Sequence, residues 1–383
     1  MQKATRQYLK EHNSRLVLKT IYHSDAISRA DIARATHLTR TTVSDIVNEL
    51  IEEGLLEEAG VGTSMGGKPP ILLNILDDAR SLVCLDLSDD VFQGALVNLR
   101  GKILKRETIP SDCMECEPAI ECVYSLLDSL INSATAPVIG IGIGTPGLID
   151  TVNGVVRQAV NLGWKDLPLK HMLEIRYGLP IYIANDSHVA ALAEYTFGQE
   201  DHTDNLVLIK VGRGIGSGIV ISGQIHYGDS FNAGEIGHLA VVEDGLRCTC
   251  GNYGCLETVS STRAILSQAR GIFPERKDLS FEEVLDVYQS GDEAISKIIH
   301  KAGVYLGASI ANLIGILNIH KIVISGSLVG FGTPLLEAAN SIIQSKVLPA
   351  MANETVISFS NLGPDNVILG ATALVLSQEY GLP

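Results

Sequence analysis

"LVCLDLSDDVFQGALVNLRGKIL", residues 82–104, has a counterpart in "LVLIKVGRGIGSGIVISGQIHYG", residues 206–228. Each reads as an apolar strand, a polar turn, a second apolar strand, a Gly turn and a third short strand. One unit appearing twice, about 120 residues apart, implies a duplicated α/β body of two lobes with a cleft between them. Helical stretches such as "EPAIECVYSLLDSLINSA" and "HKAGVYLGASIANLIGILN" intervene.

The chain has 383 residues, too many for one simple core, so two or three domains are expected. It is 46% hydrophobic, and its 37 glycines suit an α/β protein with many tight turns. The net charge of −15 argues against coating nucleic acid or an anionic membrane through bulk charge. The charge is uneven, however. Residues 1–50 carry eight Lys/Arg and five Asp/Glu, so this head is +3 and the remainder −18, a balance compatible with a local DNA contact. No apolar run approaches the ~20 residues that span a bilayer. The N-terminus "MQKATRQYLKEHNS" lacks the apolar core of a signal peptide. A cytoplasmic protein is expected, and its seven cysteines should then be reduced, so that clustered ones suggest metal before disulfide.

The first 75 residues form a separate pattern. "ATRQYLKEHNSRLVLKTIYHSD" reads as a helix with Leu9, Leu16, Val17 and Ile21 near helical spacing. In "SRADIARATHL", Ser28 is an N-cap with Asp31 at the reciprocal position, and Arg29 opens the helix. In "TRTTVSDIVNELIEEG", Thr39 is the cap, Val43, Ile46, Val47 and Leu50 form the buried stripe, and Gly54 ends the helix. Arg40, Thr41, Thr42 and Ser44 lie in its first turns. Two helices joined by a brief turn, the second opening on Arg/Thr/Ser, form a helix-turn-helix whose second helix enters the major groove. "LLEEAGVGTSMGGKPPILLNI" then reads as strand, Gly-rich tip and strand. This is a wing that presents Lys68 to phosphate or the minor groove. Ser28, Arg29, Thr39, Arg40, Thr41, Thr42, Ser44 and Lys68 are the candidate DNA-binding residues.

"CTCGNYGCLE", residues 248–257, follows "AGEIGHLA". His238, Cys248, Cys250 and Cys255 supply one imidazole and three thiols, a closed tetrahedral set for Zn²⁺. Four protein ligands leave no open position for water, so one structural zinc ion per chain is expected. Gly251 and Gly254 let the backbone turn tightly around it. "CMEC" at 113–116 has CxxC spacing but no nearby histidine, and reads as a surface loop before a helix. Cys84 reads as a core residue.

The chain resembles the ROK family of repressors, uncharacterised reading frames and sugar kinases. The likeness runs through "SRADIARATHLTRTTVSDIVNELIEEGL", "GIGIGTPGLID", "NLGW", "ANDSHVAALAE", "AGEIGH" and "CTCGNYGCLE". It implies an N-terminal winged helix-turn-helix on a two-lobed actin-like, sugar-kinase ATPase fold. The expected division is a DNA-binding domain over 1–75, a small lobe over 76–190 plus 366–383, and a large lobe over 191–365. The family's zinc site lies at the same four positions. Its sugar-binding members contact the sugar through positions matching Asn185, Asp186, Glu235, His238 and Glu257, with Asn161 and Gly147 as candidates for the pocket wall. In the kinases Asp186 would be the general base.

Those kinases cradle phosphate with an Asp-x-Gly-Gly-Thr turn. Here it reads "DLSDD": Asp86 remains, but Ser88, Asp89 and Asp90 replace the two glycines and the threonine. In "VGRGIGSG", Arg213 stands where kinases carry threonine. It can bind phosphate or pair with Asp89 or Asp90. A sugar side that keeps the family's residues, a dismantled nucleotide side and a DNA-binding head imply a sugar-responsive transcriptional repressor that is not an enzyme. The alternative is an ATP-dependent monosaccharide kinase with a regulatory head. The expected partners are operator DNA, a monosaccharide effector and further copies of the chain, as a homodimer or homotetramer.

Overall fold

The computed structural model describes residues 6–63, 69–88, 91–110, 116–198, 203–276 and 278–382. Both copies of the repeated motif become the same sheet. In the first, Ser81–Asp86 is central. It pairs antiparallel with Val91–Asn98, itself flanked by Ile103–Pro110, and parallel with Val138–Thr145, itself flanked by Ile181–Asn185. In the second, Leu206–Val211 is central. Ile215–Ile221 and Gln224–Ile225 follow on its antiparallel side, and Lys321–Gly326 and Val356–Phe359 on its parallel side. Parallel strands need long crossovers. The helices Cys116–Asn132, Leu169–Tyr177, Glu293–Leu317 and Thr333–Lys346 provide them. A third, small sheet of Leu148–Asp150, Val155–Ala159 and Trp164–Leu167 projects from the first lobe.

Two helices bind these sheets together. Asp186–Phe197 starts directly at the end of the edge strand Ile181–Asn185 and packs on Leu206–Val211 and Ile215–Ile221 of the second sheet. The C-terminal helix Asn366–Tyr380 returns across the chain to pack on Ser81–Asp86, Val138–Thr145 and the Asp186–Phe197 helix. Contact here is backbone to backbone. A Cβ on Gly370 would run into the carbonyl oxygen of Val189, and one on Gly142 into that of Ala371.

The N-terminal domain has the expected winged helix-turn-helix: helices Arg6–Tyr22, Arg29–Thr36 and Arg40–Glu52, then the wing strands Leu56–Val61 and Ile71–Ile75, with Ile27–Ser28 added to the latter. Both caps form. Ser28 Oγ accepts from Asp31 N and donates to its carboxylate, and Thr39 accepts from Thr42 N. The turn between the two helices relies on His37, whose φ of 57° is the left-handed value that usually selects glycine. In the first helix Val17, Leu18 and Ile21 are buried, but Leu9 is 49% exposed, because the helix contacts the domain only over its second half.

This domain is not tethered by a loose linker. Val17, Leu18, Ile21, Tyr22, Leu55 and Leu56 share one core with Leu82, Cys84, Ala371, Val375, Leu376 and Leu382 of the body. The Arg100 guanidinium stacks 4.4 Å from the Tyr22 ring centroid, and Tyr22 Oη donates to Leu99 O at 3.1 Å. Each fully buried apolar side chain of this size contributes about 1.5–3 kcal/mol. No helix among the described residues is long and apolar enough to cross a membrane.

Gly370→Ala should lower the stability of the protein by about 3 kcal/mol or more, because no rotamer change relieves a backbone clash. Gly315→Ala, in a helix position with nothing within 4 Å, should instead stabilise by up to about 1 kcal/mol. Urea unfolding of the two variants beside the wild type measures both.

Candidate functional site

A cavity of about 400 Å³ opens between the lobes. Asn185, Asp186, Glu235, His238 and Glu257 all line it, as do Gly147 and Asn161. They come from four separate places in the fold: the end of a first-lobe strand, the small projecting sheet, the loop after Gln224–Ile225, and the helical turn Glu257–Ser260. Gly147 takes φ 98°, and a Cβ there would collide with Gln158 O.

Asn185 is largely committed to the scaffold. Its Oδ1 accepts from Ser187 N at 2.8 Å and His188 N at 3.4 Å, capping the following helix, while Nδ2 donates to Gly147 O at 3.0 Å. Asp186, in that helix's first turn, accepts from Lys210 Nζ at 2.9 Å through Oδ2. Glu257 is no surface carboxylate. It is buried, accepts from Ile215 N and Arg263 Nη2 at 3.3 Å each, and brings Oε2 within 2.8 Å of where a Cβ on Gly214 would stand. Glu235 stands between them. Burial, with the charges of Asp186 and Glu257 beside it, pushes its carboxyl up to about 7.

His238, Cys248, Cys250 and Cys255 bring one ligand atom each within 4.8 Å of the others. The separations fit a tetrahedral ion. Bond lengths of about 2.3 Å to sulfur and 2.05 Å to nitrogen demand edges of about 3.8 Å between sulfurs and about 3.6 Å from sulfur to nitrogen. Cys250 Sγ lies 3.7 Å from Cys255 Sγ, and Cys248 Sγ lies 3.5 Å from His238 Nδ1. Burial and the neighbouring thiols push Cys255 up to about 12, so a cation is what would make it a thiolate. Gly251 and Gly254 take φ of 98° and 70° to turn the loop. His238 offers Nδ1 to this cluster, while its Nε2 faces Glu235 Oε2 at 3.8 Å, so the cluster stands directly behind the cavity. Cys113 lies outside the described residues, Cys116 opens a helix, and Cys84 is fully buried.

Two cavity residues escaped the sequence reading. Lys210 is the single charge in the strand "LVLIKV", which was itself a signal, and Arg263 carried no local signal. Arg213 lines the cavity, but its suggested partners Asp89 and Asp90 lie outside the described residues. In the altered "DLSDD" turn, Ser88 donates both its N–H and its hydroxyl to Asp86 Oδ1.

At the other end of the molecule, Arg40 and Thr41 are exposed at the start of the second helix of the helix-turn-helix. Thr42 shares a hydroxyl contact of 2.8 Å with Thr39, and Ser44 is half-buried. Ser28 is buried as a cap, and Arg29 is held by Glu58 and Asn48. Lys68 lies outside the described residues.

The ROK family model matches residues 82–378, and a MarR family model matches residues 13–63. The chain belongs to the ROK family. It is 33% identical to the xylose repressor of Caldicellulosiruptor bescii over 98% of both chains. It is 34% identical to the glucokinase of Halalkalibacterium halodurans over 79% of this chain and 97% of that one. Among solved structures, a ROK family transcriptional regulator, a homologue of the E. coli MLC protein, superposes with a TM-score of 0.86 at 29% identity and covers 98% of both chains. The ROK repressors are thus matched from end to end, helix-turn-helix included.

Metal analysis of the purified protein should find one ion per chain. Cys255→Ser, which removes the most buried ligand, should lose it and lower the melting temperature, since ion binding is part of the folding free energy.

Proposed function

We propose that this ROK protein is a sugar-responsive, DNA-binding transcriptional repressor whose inter-lobe cavity binds a monosaccharide without phosphorylating it. The observation that carries the reading is the convergence of Asn185, Asp186, Glu235, His238 and Glu257 on one cavity, in a chain whose other end is a winged helix-turn-helix. Carboxylates and an imidazole in a concave site suit vicinal hydroxyls. The cluster behind them holds a structural zinc, which orients His238 directly and Glu257 through the short loop after Cys255. Four protein ligands give that ion no open position for chemistry. Thr39, Arg40, Thr41, Thr42 and Ser44 face operator DNA, supported by Ser28, Arg29 and the wing residue Lys68. The DNA-binding domain spans 1–75, the small lobe 76–190 plus 366–383, and the large lobe 191–365. The protein works in the cytoplasm as a homodimer or homotetramer, since such heads read two half-sites.

The similarity to a glucokinase gives a kinase reading its support. One contact weighs against it: the Ser88 N–H, which would meet a phosphate, is taken by Asp86. The purified protein, given ATP and D-glucose, D-xylose or N-acetyl-D-glucosamine, should release no ADP above the sugar-free background. Sugar-dependent release would establish the kinase instead.

Operator affinity measured against sugar concentration tests the regulator. Asp186→Asn keeps the shape of the side chain but weakens a charge-assisted bond, worth about 1–2 kcal/mol, so the sugar midpoint should rise about tenfold. DNA binding without sugar should persist. An unchanged midpoint would remove Asp186 from the pocket.

A further inference from the structure

The cleft holds a second cavity of about 320 Å³, with Asp86, Gln93, Ser325, Gly326, Ser360 and Asn366 among its lining residues. Among the described residues, Lys210 is the one side chain common to the linings of the two cavities. It rises from the central strand of the second sheet, in register with Gly216 on one side and Ser325 on the other, two small neighbours that leave room for a long side chain. Its ammonium donates to Asp186 Oδ2 at 2.9 Å. The two side chains are 12% and 13% exposed, so this ion pair is shielded from water and screened little by salt. Asp186 opens the helix that starts at the edge of the first sheet and packs on the second, so the contact ties the start of that helix to the second sheet's central strand.

We propose that Lys210 is the positioning and specificity-determining residue of the cavity: it fixes Asp186, borders both cavities, and restricts the ligand to an uncharged monosaccharide. This rests on the sugar reading of the cavity. With Oδ2 taken by Lys210, the Oδ1 of Asp186 makes no hydrogen bond among the described residues, so Asp186 offers a ligand hydroxyl one oxygen instead of a two-oxygen fork. The lining carries charges of both signs, Asp186, Glu235 and Glu257 beside Lys210, Arg213 and Arg263. A neutral sugar adds no charge to it. A sugar phosphate would draw Lys210 away and leave the largely shielded Asp186 carboxylate without this ammonium, a penalty that attraction elsewhere in the site must exceed. Lys210 is shared by the two linings, so it is the side chain that borders both cavities.

Two measurements on the full-length protein test this. The first needs no ligand: melting temperatures of Lys210→Met, Asp186→Asn and the double variant. Each single change should remove the 2.9 Å ion pair, and the double variant should recover part of the loss. Strictly additive losses would overturn the assignment, because side chains that do not interact add. The second is calorimetry with D-glucose, D-xylose, N-acetyl-D-glucosamine and glucose 6-phosphate. The wild type should bind a neutral sugar at least about 100-fold more tightly than glucose 6-phosphate. Lys210→Met should weaken the neutral sugar about tenfold, and Lys210→Arg, which keeps the charge, should stay within about threefold. A purely structural lysine would not produce this split between Met and Arg. Equal affinity for glucose and its phosphate, or an unchanged affinity in Lys210→Met, would overturn the proposal. Binding of none of the four would overturn the sugar reading of the cavity, while the melting cycle still decides whether Lys210 fixes Asp186.

Discussion

The architecture depends on the close crossing of two helices, Asp186–Phe197 and Asn366–Tyr380. At Gly370 the C-terminal helix lies against the Val189 carbonyl with no space for even a methyl group, and at Gly142 the first sheet approaches Ala371 in the same way. Such contacts are made of many weak dispersion terms that vanish when the backbones separate. They put Asp186 at a fixed place relative to both sheets. At the far end of the helix, Ser360 Oγ donates to the Glu194 carboxylate at 2.6 Å, tying the helix to the end of the second sheet's edge strand. Burial raises the Glu194 pKa, so that end of the helix is held where water is scarce.

The same crossing links the cavity to the N-terminal domain. The C-terminal helix meets the Asp186 helix on one side and shares a core with Val17, Leu18 and Ile21 on another. Arg15 reaches Gln378 O at 3.0 Å, and Arg80 reaches Glu53 O at 2.7 Å. These are ordinary packing and hydrogen-bonding terms, but they join the helix-turn-helix to the elements that bear the cavity. A packed core thus runs from the C-terminal helix into the helix-turn-helix domain, and the Arg15 and Arg80 contacts lie at its exposed edge.

Electrostatics shape the cavity itself. Three carboxylates converge where one would be costly, and Glu235, the one without a nearby guanidinium or ammonium partner among its recorded contacts, is the one whose carboxyl is pushed up to about 7. Asp186 and Glu257 have Lys210 and Arg263. The cysteine and histidine cluster behind the cavity positions His238 with one nitrogen toward the thiols and the other toward Glu235. The polar lining is thus held from two directions, by ion pairs within the cleft and by the cluster behind it.

The sequence by itself determined the features that depend on near neighbours. The helix caps at Ser28 and Thr39, the two hairpin motifs, the winged helix-turn-helix and the ligand spacing of Cys248, Cys250 and Cys255 are local patterns, and each appears in the fold as read. Glycines at Gly251 and Gly254 were legible for the same reason: a left-handed backbone excludes most other residues. Leu9 misled because helical spacing does not say how far along a helix the core extends. Only the tertiary structure decided which charges meet. Lys210 lies 24 residues from Asp186, Arg100 lies 78 from Tyr22, and Ser360 lies 166 from Glu194. No local periodicity encodes such pairs. They exist because two sheets and two crossing helices bring distant chain segments within about 3 Å, the distance at which a hydrogen bond forms.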